Sequence, residues 1–309
     1  MPEPTLQSRL AGGVWGHLVG DAIGVPYEFK KASEIRSVRF GAVGTHRQPP
    51  GTWSDDGALM LATLDSLLSF GFDPQDQGRR YLDWFDRAAY TPNGDGKFDF
   101  GHTTDVAIGQ LLNGVDAVDA GGRDESDNGN GSLMRILPIA LMGRDLPRDD
   151  LVQQAEASSR ITHAHAWSQV ACALYVVLAQ QLLDGAQPAS LMDDTVRLLR
   201  QDFEITWPRP ESAAAFRRVL AHQEREGRGF VIDSLWSAWD AFVGATSYED
   251  TITRAIHYGN DTDTTACIAG GLAGIHWGIE GIPRLWLDGM RGHDIADPLV
   301  ARLVATAPA

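Results

Sequence analysis

Apolar positions along the chain recur mostly at helical spacing. From Leu6 to Ala22 an apolar residue occurs at every fourth position, which places one apolar stripe along a helix over residues 6–23. Gly24 and Pro26 predict the end of this helix. Similar patterns predict further helices at residues 55–70, 76–89, 103–113, 149–159, 165–184, 188–201, 211–225, 232–244, 247–257, 264–277 and 283–290.

Several glycines lie within the first predicted helix. Gly12, Gly13, Gly16 and Gly20 lower helix stability relative to alanine, but they let a neighbouring backbone approach closely. We therefore expect this helix to pack tightly against another one. The tryptophans within later helical patterns are expected to fill the core, namely Trp236, Trp239, Trp277 and Trp286.

Strand patterns are nearly absent from the sequence. Only residues 35–43 have a weakly extended pattern, and no segment alternates apolar and polar residues between turns. Loops rich in glycine or proline interrupt the helices at residues 41–53, 91–101, 120–131 and 258–263. The sequence therefore predicts an all-α fold, a single compact multi-helix domain over residues 1–309, with its chemistry in these loops.

Composition narrows the range of partners. Apolar residues make up 43% of the chain and charged residues 22%, as in ordinary globular proteins. The net charge of -15 disfavours binding to nucleic acid or an anionic membrane. A phosphate-bearing ligand would then need metal ions, helix N-termini or a few basic side chains to hold it.

The cysteines and the N-terminus indicate the compartment. Cys172 and Cys267 lie in apolar helical patterns, where a thiol is usually a small packed side chain. The chain shows no basic segment followed by an apolar run at its N-terminus, and no uninterrupted apolar stretch long enough to span a membrane. We expect a cytoplasmic protein, with a monomer as the default state.

Two adjacent carboxylates begin the helix predicted at residues 55–70. Ser54 precedes Asp55 and Asp56. Serine is a good N-cap, and aspartate in a first turn interacts favourably with the helix dipole. Capping therefore explains this segment about as well as metal binding does.

A second acidic segment, residues 260–265, precedes an apolar helix rich in small residues. Burying Asp261, Asp263 and three hydroxyls there without a cation would be costly. An EF-hand is excluded, because Ala266 and Leu272 occupy the positions that need glycine and glutamate. If the two acidic segments meet in space, their hard oxygen donors suit Mg²⁺, Mn²⁺ or Ca²⁺ rather than zinc. The candidate metal ligands are Ser54, Asp55, Asp56, Asp261, Asp263 and Thr264.

Five ordered segments together resemble the ADP-ribosylglycohydrolase family. They are residues 20–29, 54–56, 98–104, 128–138 and 260–264. The resemblance covers nearly the whole chain, and it implies an all-α fold with two Mg²⁺ or Mn²⁺ ions held near the scissile ribose by the six oxygen donors above. Gly57 departs from the family pattern, in which threonine or serine often follows the paired acids.

The resemblance also implies catalytic residues. Glu28 matches a glutamate on a mobile segment that approaches the metals, although by itself it would be interpreted as a solvated carboxylate. Asp99 is expected to act as a general base or to position the sugar. Asp56 is expected to contribute to catalysis as well as to metal binding.

Substrate contacts are expected in three further segments. Residues 128–135 predict a glycine-rich loop that leads into a helix and offers backbone N–H groups to a pyrophosphate, an exposed turn being the alternative. This loop lacks the spacing and the lysine of a P-loop. His163 matches a family position that contacts phosphate, and His165 is expected to be structural. The expected substrate-binding residues are Gly101, His102, Asn130, Gly131, Ser132, Arg135 and His163.

The sequence thus predicts a hydrolase that removes ADP-ribose from a modified target, with arginine-linked ADP-ribose on a protein as the first choice. A two-metal phosphohydrolase is one alternative, since the same ligands suit phosphoester cleavage. The other is an ADP-ribose-binding or toxin-immunity protein with little turnover, for which Gly57 is the argument.

Overall fold

The computed structural model describes residues 3–92, 97–206 and 209–308. Within these residues the chain forms fourteen α-helices and no β-strand beyond isolated bridges, which confirms the all-α prediction. The helices are α1 (Leu6–Gly24), α2 (Asp55–Phe70), α3 (Pro74–Arg87), α4 (His102–Leu112), α5 (Leu137–Met142), α6 (Arg148–Arg160), α7 (Ala166–Leu183), α8 (Pro188–Gln201), α9 (Pro210–Leu220), α10 (Val231–Val243), α11 (Tyr248–Ile256), α12 (Thr262–Trp277), α13 (Arg284–Asp288) and α14 (His293–Val304).

Two of these helices were not predicted, and one stretch was predicted to be more regular than it is. Helix α5 has only 6 residues, too few to show a period. Helix α14 contains Pro298, which reads as a helix breaker in a sequence. Residues 35–43 pair with no strand in the described part of the chain and form an irregular segment.

The helix predicted at residues 211–225 is longer than the helix that the structure shows there. Helix α9 ends at Leu220, and a loop follows it. The carboxylate of Asp233 accepts the backbone N–H groups of Glu226 (3.0 Å) and Arg228 (2.6 Å). These hydrogen bonds from Asp233 in α10 satisfy backbone donors of the loop. Because Asp233 lies outside residues 211–225, the apolar pattern within that range does not indicate them.

Helices α1 and α12 form the centre of the fold and pack antiparallel. A Cβ atom on Gly12, Gly16 or Gly20 would lie 2.2, 2.4 or 2.3 Å from a carbonyl oxygen of α12. At the end of α1, a Cβ on Gly24 would lie 2.3 Å from Cα of Asp263. Since no side chain fits at these distances, the glycines allow the two backbones to touch, as predicted.

One hydrophobic core surrounds this helix pair. Trp236, Trp239 and Trp286 are buried in it and Trp277 packs against it, as predicted. Both cysteines are free and buried. Helix α7 is long and apolar enough to cross a membrane by length and composition alone, but 72% of it is buried inside the protein, as in a core helix.

Candidate active site

Asp21 joins the end of α1 to the start of α2. Its carboxylate accepts the backbone N–H groups of Ser54 (2.9 and 3.1 Å) and Gly57 (2.8 Å). Ser54 is itself the N-cap of α2 and accepts the N–H of Asp56 at 3.2 Å, so the capping interpretation is correct. Asp21 was not predicted to have a role, although an acid in an apolar helix was the signal that could have singled it out.

The packing of α1 brings the two acidic segments together. The last turns of α1 contact the start of α2 through Asp21 and the start of α12 through Gly24. The thiol of Cys267 lies 3.2 Å from Oδ2 of Asp56 and 3.2 Å from the carbonyl oxygen of Thr264. Segments about two hundred positions apart in the sequence therefore meet in space.

One cleft of about 390 Å³ collects most of the residues predicted for the site. This volume is in the range of small-molecule sites, about 300–1,000 Å³. The predicted residues that line it are Glu28, Asp55, Asp56, Asp99, Gly101, His102, Asn130, Gly131, His163, Asp261 and Thr264. Sequence reasoning did not single out the apolar side chains of Phe29, Phe100 and Met134, which also line the cleft.

Glu28, Asp261 and Asp263 form the closest group of oxygen donors. One carboxylate oxygen from each lies within 4.8 Å of the other two. Asp263 is 1% exposed, its Oδ1 accepts the N–H of Thr264 at 2.9 Å, and its Oδ2 has no donor among the described residues. Because a buried carboxylate oxygen without a partner is costly, this donor set fits a divalent cation with oxygen ligands.

The crowding of carboxyl groups changes their acidity. Burial, reinforced by the neighbouring carboxylates, raises the pKa of Asp55, Asp56 and Asp263 well above the usual range. Burial also raises the pKa of Glu28 to about 9 and that of Asp99 to about 10. So many carboxyl groups cannot all ionise without a counter-charge. A bound divalent cation would supply that charge and lower these pKa values.

The loop over residues 41–53 holds Glu28 against the cluster. Nε2 of His46 contacts Oε2 of Glu28 and lies 3.6 Å from Oδ1 of Asp99. The hydroxyl of Thr45 donates to the backbone oxygen of Glu28 at 2.6 Å. Glu28 is 3% exposed, so it is not a solvated carboxylate. His46 was missed, because an isolated histidine in a loop carries no signal of its own.

Arg135 lies in the interior and does not line the cleft. It is 0% exposed, and its guanidinium donates to the hydroxyl of Tyr81 (3.1 Å), the backbone oxygen of Ser158 (3.3 Å) and Oγ1 of Thr162 (2.7 Å). These acceptors hold the side chain inside the protein, so it does not reach the cleft in which Arg135 was expected to bind substrate.

Arg135 instead influences the protonation of the His163 imidazole through Thr162. Oγ1 of Thr162 accepts from Arg135, and its own proton has one acceptor among the described contacts, Nδ1 of His163 at 2.8 Å. When the hydroxyl donates to Nδ1, the proton of the neutral ring lies on Nε2. Burial, with Arg135 adding to it, lowers the pKa of His163 to about 3. His163 is thus a neutral donor whose Nε2 lies beside Gly129.

The loop at residues 129–131 forms another wall of the cleft. Asn130 is 9% exposed, so the loop is not an exposed turn. The hydroxyl of Ser132 is buried and accepts from Ser159 at 2.9 Å, so the Ser132 side chain does not face the cleft. Turns over residues 131–135 separate the loop from α5, and the loop does not lead directly into a helix.

The structure explains the glycine at position 57. A Cβ atom there would lie 2.8 Å from Cδ2 of Leu18 and 2.8 Å from the indole of Trp53. Both neighbours are fully buried. A threonine or serine side chain would therefore displace the packing beneath the start of α2.

His165 is the N-cap of α7 and accepts the N–H of Trp167 at 3.3 Å. This contact confirms the structural role predicted for His165. Of His163 and His165, only His163 lines the cleft.

The fold is all-α, and its cleft holds a cluster of oxygen donors suited to divalent cations. Residues 2–309 match the model of the ADP-ribosylglycohydrolase family. The chain belongs to this family.

Named relatives and a solved structure agree with this assignment. The chain is 29% identical over 311 residues to the ADP-ribosylarginine hydrolase Tri1 of Pseudomonas putida (strain GB-1), covering 99% of this chain and 80% of that protein. It is 27% identical over 295 residues to the ADP-ribosyl-[dinitrogen reductase] glycohydrolase of Rhodospirillum rubrum, covering 93% and 92%. A solved structure described as an ADP-ribosylglycohydrolase-related protein complex has a TM-score of 0.80 and 31% identity, covering 98% of this chain and 99% of that one.

Proposed function

We propose that this protein removes ADP-ribose from arginine side chains of modified proteins, using two Mg²⁺ or Mn²⁺ ions. The observation that carries the proposal is the group formed by Glu28, Asp261 and Asp263, whose oxygens lie within 4.8 Å of one another. Glu28 and Asp261 line the cleft together with Asp55 and Asp56. The name of the Pseudomonas putida relative supports arginine as the linkage.

The residues that would hold the cations are Ser54, Asp55, Asp56, Asp261, Asp263 and Thr264. Bound cations would supply the positive charge that this acidic cleft otherwise lacks, orienting ribose hydroxyls and polarising the bond to be broken. Their oxygen donors are hard ligands, which favours Mg²⁺ or Mn²⁺ over softer metals.

The wall that contains His163 would bind the phosphates. The neutral ring donates through Nε2, and a phosphate oxygen accepts such a donor without the cost of burying a histidine cation. Gly129 and Gly131 have no side chains between this ring and the cleft. The loop therefore leaves room for a diphosphate beside the imidazole.

Asp99 is the group we assign to proton transfer. It lines the cleft beside Glu28, and its left-handed backbone, with φ of 72°, turns the chain sharply at this point. Positive charge nearby would bring its raised pKa towards neutrality, where a carboxyl group can both accept and donate a proton. Glu28 and Asp56 are the other two carboxylates that we place next to the ribose of the bound substrate.

Product analysis tests this proposal. The protein is incubated with arginine-, serine- and thymidine-linked ADP-ribose in Mg²⁺ or Mn²⁺, and the products are identified by mass. We expect intact ADP-ribose and unmodified arginine from the first substrate. AMP or inorganic phosphate would support a phosphohydrolase instead. Retention of ADP-ribose without turnover, in protein with confirmed metal loading, would support a binding protein.

A further inference from the structure

A basic segment borders the acidic cleft. Residues 30–47 hold five basic side chains and a single acid, Glu34, in a chain whose net charge is -15. Two of the three lysines of the whole chain lie in this segment. We call this segment the basic rim; its basic residues are Lys30, Lys31, Arg36, Arg39 and Arg47.

The charges of the basic rim are available to a partner. Lys31, Arg36, Arg39 and Arg47 are exposed, and none of them forms an ion pair with another described residue. Most exposed arginines elsewhere are paired, as Arg79 is with the carboxylates of α3. The rim is therefore a local positive patch on a protein that otherwise repels anions.

Specific contacts fix the basic rim beside the cleft. Ile35 is 5% exposed and anchors the segment in the core. The backbone N–H of Arg39 donates to the hydroxyl of Tyr27 at 3.1 Å, and Thr45 donates to the backbone oxygen of Glu28 at 2.6 Å. The rim thus has a defined position next to a residue that lines the cleft.

Exposed apolar side chains accompany these charges. Phe29, which lines the cleft, is 68% exposed, and Val43 within the rim is 64% exposed. Aromatic side chains beside arginine are enriched in protein–protein interfaces. Contacts to nucleic acid depend more on charge alone, and the net charge of the protein opposes them. The composition of this surface favours a protein partner.

We propose that the basic rim docks an acidic surface next to the modified arginine of the target protein. This inference rests on the proposed function. Since the remainder of the enzyme repels an acidic protein, attraction by the rim alone would orient the target with its modified side chain towards the cleft. The rim would then select among ADP-ribosylated proteins by the charge around the modified arginine.

Charge reversal with a matched control tests the inference. The rim variant is Lys31→Glu, Arg36→Glu and Arg39→Glu. The control variant, with the same change in net charge, is Arg79→Glu, Arg197→Glu and Arg200→Glu, exposed residues that do not line the cleft. The substrates are free ADP-ribosyl-arginine and two peptides whose ADP-ribosylated arginine is flanked either by glutamates or by glutamines.

We expect the rim variant to lose about tenfold in kcat/KM on the glutamate-flanked peptide, mainly through KM. Its activity on the other two substrates, and that of the control variant on all three, should equal wild type. The loss should shrink at high salt, because salt screens exposed charges.

Other outcomes would overturn the inference in distinguishable ways. An equal loss on free ADP-ribosyl-arginine would show that the rim acts on the ADP-ribose itself. An equal loss in the control variant would show an effect of bulk charge. An equal loss on the glutamine-flanked peptide would show that the rim does not recognise the charge around the modified arginine. If the wild type cleaves none of the substrates, the proposed function fails. Binding of the fluorescent glutamate-flanked peptide, measured by anisotropy, then tests the rim separately. Equal affinity of the wild type, the rim variant and the control variant for this peptide would overturn the inference.

Discussion

Nδ2 of Asn130 donates a hydrogen bond of 2.9 Å to Oδ2 of Asp261. The same amide donates to Oγ of Ser234 at 2.9 Å. One side chain therefore connects the loop expected to bind substrate with the segment expected to bind metal. Because Asp261 also lies in the closest group of carboxylates, its orientation depends on a residue outside the acidic segments.

Replacing Asn130 with leucine should weaken metal binding. The change removes the donor that orients Asp261, and loss of such a supporting hydrogen bond typically costs 10–100-fold in metal affinity. Calorimetric titration with Mn²⁺ measures the effect. Ser234→Ala, which leaves the bond to Asp261 intact, is the control and should bind nearly as tightly as wild type. Equal affinity of the wild type and both variants for Mn²⁺ would show that the hydrogen bond from Asn130 to Asp261 does not affect metal binding.

Asp263→Asn should stabilise the protein in EDTA. Burial, reinforced by the neighbouring carboxyl groups, raises the pKa of Asp263. A neutral amide removes this cost while offering N–H donors to its neighbours. We expect a gain of about 1 kcal/mol in the free energy of unfolding, measured by urea denaturation. The variant should gain less from added Mn²⁺ than wild type. A loss of stability in EDTA would contradict this view of the cluster.

The stability of the protein in EDTA should fall as pH rises. Burial raises the pKa of Asp21 to about 7 and that of Glu28 to about 9. Groups whose folded pKa exceeds the unfolded value bind more protons in the folded state, so stability is lost as pH rises from the unfolded to the folded pKa. Melting temperatures across the range from about pH 5 to pH 9 should decrease, and less so with saturating Mn²⁺. A flat profile in EDTA would contradict the prediction.

Thr162→Val should impair substrate binding without unfolding the protein. Valine cannot donate to Nδ1 of His163, so the ring proton is no longer fixed on Nε2 and the donor to phosphate is lost part of the time. We expect about a tenfold rise in KM for ADP-ribosyl-arginine, equivalent to one hydrogen bond to a charged group. Thr162→Ser keeps the hydroxyl and should restore the wild-type KM. Failure of serine to restore it would show that the methyl group, rather than the proton, matters.

Local patterns predicted what depends on local sequence. The glycines of α1 indicated close helix packing, and the acids at residues 54–56 and 261–264 indicated hard metal ligands. Both features are carried by residue types at fixed spacing, so they can be predicted without knowing the fold.

The remaining features depend on tertiary contacts. Arg135 was expected to bind substrate, but the direction of its side chain is set by acceptors on other segments, including Tyr81. His46 reaches Glu28 only because the loop folds back. Helix α14 forms despite Pro298 because Leu299 and Leu303 pack into the core. No spacing within the sequence encodes these contacts.

The proposed metal centre is tested most directly by counting the divalent ions that the folded protein binds. Native mass spectrometry of metal-stripped protein titrated with Mn²⁺ should detect two ions in the wild type, and fewer in Asp55→Asn/Asp263→Asn with unchanged circular dichroism. No bound ion in the wild type, or two ions retained by the double variant, would contradict the assignment of this acidic cluster as the metal centre.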